Sequence, residues 1–581
     1  MSSSEYESDY GEDVYDNVTT ISPQNEDEIF QPLQNVNIFS HNEHSPVCMK
    51  IVAPNDKKRN IYFLGLMIMV VKKGCVKFGQ RIINEGENYI KLWQSSAKTL
   101  KPLILLSPQC EITIHDPLYH RFESTIQDFS RPKFKYLFRD CHVTDPKLSF
   151  FSCLQILPPS IVGKYRTYDH GQNHHFIRVV NEIAKNASQE LPKLTICLGG
   201  KNSGKTTFNE MLCETYSNEG KDIELLDFDP GQQLFGFPGC ISRTRYGPNY
   251  QFLQFGDSLA PTEEYKMENY MIGSFDCMDY YMNYEEKTLM LLDKVGSLGN
   301  DVVVNMPGWL TGLGTQFIEI IANKALQLES FDLKIVFLGD KESFLKLNLP
   351  IDVDYFISNP YAKYYAPGYK NSALNNGTSF EQLNWTSGDL REYRLLRSLH
   401  DYNNNKSILN QLTYVASIGN EIKNIAWIKI TQYLGKTPSK NEEMTCFKTL
   451  PGSIVAISFF DFISNDPSIL KTQSVFQEQH NVNEQMICLG VVHSIDVANE
   501  YINLIIPSRY MKQIDNLNLL DYKYGKIQTM AVGLPNYEFL PVDEDVIKEY
   551  KGQIPYTTDR ALKKNEHTWK VRKNIQRRSH Q

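Results

Sequence analysis

Gly199-Gly200-Lys201-Asn202-Ser203-Gly204-Lys205-Thr206 fits the pattern G-x-x-x-x-G-K-[ST], with Thr207 next in line. Such a loop handles phosphates. Its glycines let backbone N–H groups curl round an anion, and a helix starting at its end adds partial positive charge. Lys205 would reach the β- and γ-phosphates, and the Thr206 hydroxyl would hold Mg²⁺. A second constellation is Asp227-Phe228-Asp229-Pro230-Gly231-Gln232, two carboxylates closing a short apolar run. A carboxylate there either holds Mg²⁺ through water or accepts a proton from an attacking hydroxyl. Residues two apart on a strand share a side, so one site has room for both jobs. A third is Asn305-Met306-Pro307-Gly308-Trp309, and a fourth is a helical run with Arg391, Arg394 and Arg397 at i, i+3 and i+6.

These residues need positioning. Leu194 to Leu198 is an apolar run that reads as a buried parallel strand, and Thr206 to Tyr216 reads as a helix. Strand, glycine-rich loop and helix in that order are the context a phosphate loop requires. A chance match in a chain of this length arises roughly 2 % of the time, so the loop is read as nucleotide-binding. Further strands are expected at 222–229, 301–305 and 333–338, with helices over 174–186 and 316–328. Alternation of strand and helix predicts an α/β fold, a doubly wound parallel sheet forming a central P-loop kinase domain. In such a sheet function gathers at the carboxyl ends of strands, where Lys205, Asp229, Trp309 and Asp340 all fall.

At 581 residues the chain is long enough for three or four domains. Residues 1–45 read as a disordered acidic leader, 46–164 as an N-terminal β-rich domain and 165–405 as the P-loop domain. Residues 406–559 read as a C-terminal β-rich domain and 560–581 as a basic tail. The apolar run Ile61 to Val71 is too short to span a bilayer and reads as one core strand. The net charge of −8 belongs to the leader: Met1 to Met49 holds ten acids and no Lys or Arg. The rest is near neutral, so overall charge does not announce nucleic-acid binding. The 11 cysteines form no C-x-x-C pair, which points to a reducing compartment without a zinc site. His120, Arg121 and Arg139 read as surface residues, Arg394 and Arg397 as solvent-facing or ion-paired arginines. Ser258 and Thr262 suit either an acceptor path or a turn.

Other phosphate-loop classes fit poorly. A guanine-specific N-K-x-D motif is missing, since Asn323-Lys324-Ala325-Leu326 lacks the Asp, and the transporter motif L-S-G-G-Q does not occur. Gly199 to Thr206, Asp227 to Gln232, and Asn305-Met-Pro-Gly-Trp309-Leu-Thr-Gly-Leu-Gly314 instead resemble, in that order, the polynucleotide 5′-hydroxyl kinase family of eukaryotic RNA processing. The acidic leader, Asp-Pro-Gly-Gln and the basic tail are more similar to the fungal nucleolar branch serving pre-ribosomal RNA than to the branch serving messenger and transfer RNA. The motifs cover the central domain, and the flanks resemble the family in layout.

The resemblance implies an enzyme that transfers the γ-phosphate of ATP, with Mg²⁺, to the 5′-hydroxyl end of RNA. It implies a place in the nucleus and nucleolus, in spacer processing of pre-ribosomal RNA. The implied partner is a HEPN-type endoribonuclease, in a complex holding two copies of each subunit. Carried over by position, Lys205, Asp229 and Arg391 are the catalytic candidates, with Asp229 as general base and Arg391 as a lid arginine. Gly199, Gly200, Lys201, Asn202, Ser203, Gly204, Lys205, Thr206, Thr207, Gln232, Gly308 and Trp309 are the nucleotide-binding candidates. Thr206, Asp229 and Gln232 are the candidates near the metal. The chain departs from the family pattern twice: Asn305 and Met306 stand where a Thr is usual, and Thr386 stands near the usual first lid arginine. The alternative expectation is a non-catalytic ATP-binding scaffold.

Overall fold

The computed structural model describes residues 36–39, 48–52, 59–86, 90–106, 110–115, 134, 136–140, 143, 154–162, 165, 167, 174–185, 191–247, 265–296, 299–349, 354–358, 385–399, 413–418, 425–429, 447–448, 450–462, 482–515 and 524–533. His120, Arg121, Ser258, Thr262 and the 560–581 tail lie outside these residues.

The chain begins with β1 (Val36–Phe39), β2 (Cys48–Val52), β3 (Arg59–Ile61), β4 (Phe63–Lys73), β5 (Cys75–Phe78), β6 (Arg81–Asn84), β7 (Ile90–Gln94), β8 (Leu103–Leu105), β9 (Glu111–His115) and β10 (Leu154–Ile156). One sheet has the order β1-β2-β9-β4-β10, with β7 also paired to β4, and a second has the order β3-β8-β5-β6. Phe63, Met67, Val76, Ile83, Leu103 and Ile112 share the core of these two sheets. The run Ile61 to Val71, expected as a single strand, is split. β3 pairs with β8, and after Tyr62 the chain enters β4, which pairs with β7, β9 and β10. All residues from Ile61 to Val71 are buried, so the change of sheet needs no polar turn and leaves no mark in the hydropathy pattern.

The central region follows with α1 (Pro159–Val162), α2 (His174–Lys185), β11 (Lys193–Gly199), α3 (Lys205–Asn218), β12 (Ile223–Asp227), β13 (Cys240–Tyr246), β14 (Tyr265–Met271) and α4 (Tyr281–Val295). It continues through β15 (Asp301–Asn305), α5 (Leu313–Leu326), β16 (Asp332–Leu338), α6 (Lys341–Leu345), β17 (Asp354–Ser358) and α7 (Ser387–Leu399). The sheet order is β14-β13-β12-β15-β11-β16-β17. Strands β12, β15, β11, β16 and β17 are parallel, as the α/β pattern predicts. The antiparallel hairpin β13–β14 extends one edge. Its charged residues, such as Arg243 paired with Glu224 and Glu268, hide it from a search for apolar strands. Leu194, Ile196 and Leu198 of β11 face a core with Tyr284 and Leu291 of α4 and Phe317 of α5. Cys197 faces the opposite core with Phe176 of α2 and Phe208 of α3. Burial on both faces explains the near-continuous apolar character of these strands.

Last come β18 (Tyr414–Ser417), β19 (Ile425–Lys429), β20 (Ser453–Phe462), β21 (Val482–Asp496), β22 (Tyr501–Ile505), α8 (Ser508–Asp515) and β23 (Tyr524–Gly533). They form a sheet of order β18-β22-β21-β20-β23-β19, in which only β19–β23 is a parallel pair. Its core takes in Phe237, Cys240 and Met271 of the central region and Leu395 and Leu399 of α7. The Cys240 thiol lies 3.6 Å from Met271 Sδ and 3.5 Å from Met486 Sδ, joining the two sheets through sulfur. Burial pushes that thiol well above its ordinary pKa. Cys240→Ser places a hydroxyl among thioethers and should destabilise the protein by about 1–3 kcal/mol. Denaturant unfolding of Cys240→Ser beside Cys240→Ala is the check, and equal stability of serine variant and wild type would contradict this packing.

Candidate functional site

The phosphate loop leaves β11 at Gly199 and enters α3 at Lys205. Two positions require left-handed backbone: Gly204 caps α3 at φ 95°, and Asn202 stands at φ 64°. Asparagine is among the side-chain-bearing residues that tolerate this region. Lys205 Nζ donates to the carbonyls of Gly199 at 2.8 Å and Gly200 at 2.7 Å. Burial lowers the Lys205 pKa, while Cys197 and Asp229 nearby favour the cation. The Ser203 hydroxyl is enclosed and lacks a hydrogen-bond partner. An enclosed polar atom on a phosphate loop is a fit for an anion. Thr206, half-buried in the first turn of α3, makes no side-chain hydrogen bond among the described residues.

Asp229 lies just beyond β12. Its Oδ1 accepts from the backbone N–H groups of Gly231 at 3.0 Å and Gln232 at 3.1 Å. Its Oδ2 has no protein donor among the described residues. Burial raises the Asp229 pKa, and Lys205, the two backbone donors and Arg391 oppose that rise. Asp227 stands apart from this role. It is 1 % exposed and accepts from Asp229 N at 3.2 Å, Leu234 N at 2.5 Å and Asn305 Nδ2 at 2.8 Å. Burial pushes it up to about 7, against those donors. The two carboxylates therefore do not share one open site: Asp227 is buried and shapes the turn, and Asp229 is half-buried with one oxygen open.

Asn305 Oδ1 accepts from Asn209 Nδ2 at 3.1 Å, and Met306 is 1 % exposed in the core. Neither offers a substitute for the hydroxyl of the usual Thr. Gly308 lies directly on the phosphate loop, where a Cβ would stand 2.8 Å from Lys201 N and 2.9 Å from Lys201 Cα. Trp309 is half-buried, edge-on to Tyr281 at 6.1 Å, and its ring covers Gly314.

Arg391, the arginine expected in a lid, and Arg394 and Arg397 sit on α7. Thr386 and Asp389 form a reciprocal capping pair, Asp389 N donating to Thr386 Oγ1 at 3.1 Å and Thr386 N to Asp389 Oδ2 at 2.8 Å. The position near the usual first lid arginine is thus a helix cap. The Arg391 guanidinium lies 5.2 Å from the centre of the Phe275 ring. Gln232 Nε2 donates to Ser387 Oγ at 3.1 Å, tying the Asp229 turn to the start of α7. For two arginines the solvent-facing half of the expectation is corrected. Arg397 is 3 % exposed, its guanidinium 5.3 Å from the Trp93 ring, because α7 packs against the N-terminal sheet. Arg394 is not a solvent arginine either: burial pushes it down to about 10, with Asp227, Asp229 and Glu210 as charge neighbours. Asp340, at the end of β16, is a helix cap accepting from Ser343 N at 2.7 Å.

Sequence reasoning missed Phe275, Ser387 and Glu210, none of which belongs to a motif. Among the described residues no group of three His, Cys, Asp or Glu side chains could hold a metal ion. A divalent ion here would need ligands from a bound nucleotide, as Mg²⁺ in kinase sites usually has. Thr206 and Asp229 suit such an ion.

Residues 199–361 match the family described as mRNA cleavage and polyadenylation factor CLP1 P-loop. Polynucleotide 5′-hydroxyl-kinase GRC3 of Candida glabrata is 28 % identical over 406 residues, 66 % of this chain and 61 % of that protein. The GRC3 kinase of Kluyveromyces lactis is 23 % identical over 612 residues, 96 % of this chain and 90 % of that protein. Polyribonucleotide 5′-hydroxyl-kinase MJ1315 of Methanocaldococcus jannaschii is 22 % identical over 355 residues, 58 % of this chain and 87 % of that protein. The chain thus spans about three-fifths of the first of these and most of the other two.

Gly308→Ala should push the loop backbone aside, because its new methyl meets main-chain atoms that cannot rotate away. Overpacking of this kind costs about 1–3 kcal/mol, or roughly 10- to 100-fold in nucleotide affinity. Titration calorimetry with ATP measures it, and unchanged affinity would disprove the tight contact.

Proposed function

We propose, from its similarity to polynucleotide 5′-hydroxyl kinases, that this chain transfers the γ-phosphate of ATP to the 5′-hydroxyl end of RNA. One observation carries the reading: a carboxylate with an open oxygen, Asp229, faces the phosphate-loop Lys205 and the lid residue Arg391 at the end of one strand. A nucleotide-binding scaffold would use that oxygen only toward a metal ion, whereas transfer also calls for a proton acceptor there.

The backbone of residues 199–207 would cradle the phosphates, and Gly308 and Trp309 would press on the loop from outside. Asp229 Oδ2 accepts the proton of the 5′-hydroxyl as its oxygen attacks the γ-phosphorus in line. The new O–P bond forms as the bond to the bridging oxygen breaks and ADP leaves. Lys205 and Arg391 stabilise charge on the transferred group, and Gln232 holds the turn carrying the base. When bound, Mg²⁺ beside Thr206 and Asp229 supplies neutralising charge to the phosphates. Burial around Asp229 raises its basicity toward what proton transfer near neutrality asks.

Transfer from labelled ATP to a 5′-hydroxyl oligoribonucleotide is the test. Asp229→Asn should retain ATP binding and lose about 10²–10⁴-fold in kcat, and Lys205→Ala should abolish transfer without unfolding the protein. Wild-type transfer by a folded Lys205→Ala protein would refute the assignment.

The resemblance to the nucleolar branch supports a finer reading: an endoribonuclease of the HEPN type leaves a 5′-hydroxyl on spacer RNA, and this kinase converts it for trimming. The assembly would hold two copies of each subunit, in the nucleolus. The tail 560–581 carries Arg560, Lys563, Lys564, Lys570, Arg572, Lys573, Arg577 and Arg578 around Trp569, against the single acid Glu566. An aromatic among arginines is an interface anchor. Deleting Thr568 to Gln581 should weaken nuclease assembly while isolated kinase activity survives, and Trp569→Ala should cost on the order of 2 kcal/mol in binding. A loss that disappears at high salt, with no effect of Trp569→Ala, would reduce the tail to an electrostatic RNA tether.

A further inference from the structure

Ser95 to Lys101, the turn joining β7 to β8, touches two helices that carry the proposed chemistry. Gln94 closes it from within. Gln94 Nε2 donates to Lys101 O at 2.9 Å, and Lys101 N donates to Gln94 Oε1 at 2.6 Å. Toward α3, Lys101 Nζ lies 3.0 Å from Glu210 Oε2 and 3.0 Å from Glu214 Oε1, and Lys98 Nζ lies 3.2 Å from Glu210 Oε1. The Lys101, Glu210 and Glu214 side chains are 7 %, 4 % and 1 % exposed. Toward α7, Ser96 Oγ accepts from Trp385 Nε1 at 3.0 Å and donates to Tyr136 O at 2.8 Å. Trp385 stacks on Phe134, and Phe134 and Phe138 both meet the Tyr393 ring edge-on at 5.6 Å.

One turn of the N-terminal sheets therefore fixes the helix of the phosphate loop and the helix of the lid arginines. The two grips differ in kind. α7 is held by aromatic packing, which supplies stability. α3 is held by buried charges, which add little net stability over apolar packing but fix geometry, since loss of one partner strands the others. Glu210 also has the Arg394 guanidinium of α7 as a charge neighbour, and Arg394 in turn neighbours Asp229.

We propose that the Ser95–Lys101 turn is a positioning element for phosphoryl transfer, coupling α3 to α7 so that the lid arginines stand at a fixed place relative to Lys205 and Asp229. Lys101 and Glu210 are its positioning residues, and neither touches the reacting atoms. The inference rests on the kinase reading for its consequence on rate, and its structural content can be tested without activity.

The experiment uses the full chain with Lys101→Met, Lys101→Arg, Ser96→Ala and the double variant Lys101→Met with Ser96→Ala. Hydrogen exchange is measured over 205–218 and 385–399. Lys101→Met changes a side chain paired with α3, yet exchange in α7 should speed up. Ser96→Ala acts on the α7 side, yet exchange in α3 should speed up. In transfer assays kcat should fall about threefold to thirtyfold in the single variants, with ATP affinity within about twofold of wild type. Lys101→Arg should restore most of the rate, and the double variant should lose less than the product of the single effects. Exchange changes confined to the helix next to each substitution, or kcat unchanged while only the unfolding temperature drops, would overturn the coupling. Ser96→Ala keeps the buried ion cluster whole, so it still decides the matter if Lys101→Met fails to fold. Failure of the kinase reading would show differently, as absence of transfer by the wild-type chain.

Discussion

One amide holds the centre of the site together. Asn305, at the end of the central strand β15, accepts from Asn209 of α3 and donates to Asp227 of β12. These side chains are 2 %, 0 % and 1 % exposed, so each hydrogen bond lies in a poorly screened medium, where a stranded partner costs about 1–3 kcal/mol. Asp227 passes the constraint on, accepting from the backbone of Asp229 and Leu234. The phosphate-loop helix and the turn bearing the proposed base are thus indexed to the same strand end. This also accounts for the departure at Asn305. A threonine there would have a single hydroxyl, too short to reach both α3 and β12, so the residue that fills the position is spent on architecture.

The loop balances the charge of its own lysine: the Lys205 ammonium donates to the Gly199 and Gly200 carbonyls. Burial works against its charge, and the neighbouring Asp229 works for it. A phosphate bound here competes with two carbonyls for the ammonium, and its full negative charge attracts the cation more strongly than a carbonyl dipole does. Gly308 limits where the loop can go during that exchange. The loop is pressed from outside by backbone against backbone, which a side chain at position 308 would prevent.

What the sequence made legible follows a physical divide. The phosphate loop, the Asp-Pro-Gly-Gln turn and the parallel strands are local patterns, because glycine torsions, strand burial and helix starts depend on neighbours in the chain. The burial of Arg397 and the half-burial of Arg394 were not legible. Spacing of i, i+3 and i+6 shows that arginines share a side of a helix, yet it says nothing about what that side meets. Here it meets Trp93 and the charges of Glu210, Asp227 and Asp229. Glu210 and Lys101 were hidden for the same reason, being far apart in sequence and ordinary in local context. The hairpin β13–β14 escaped because edge strands carry charge, and the crossing at Tyr62 because a strand buried on every side has no polar mark at its break.

The same contacts explain why a phosphate-loop core should carry two β-rich flanks. α7 lies with Tyr393 and Leu396 in the aromatic core of the N-terminal sheets, and with Leu395 and Leu399 in the core of the C-terminal sheet. A lid free to swing would spend binding energy on ordering its arginines at each turnover. A helix wedged between two sheets has that entropy removed in folding, when burial of several large side chains offsets it. Arg391, resting on Phe275 beside the Asp229 turn, is then a cation already directed at the cleft. Electrostatic stabilisation is strongest when charges need no reorganisation as the transition state forms. On this argument the flanking sheets belong to the candidate site as much as the loop does, since they determine where its positive charge can stand.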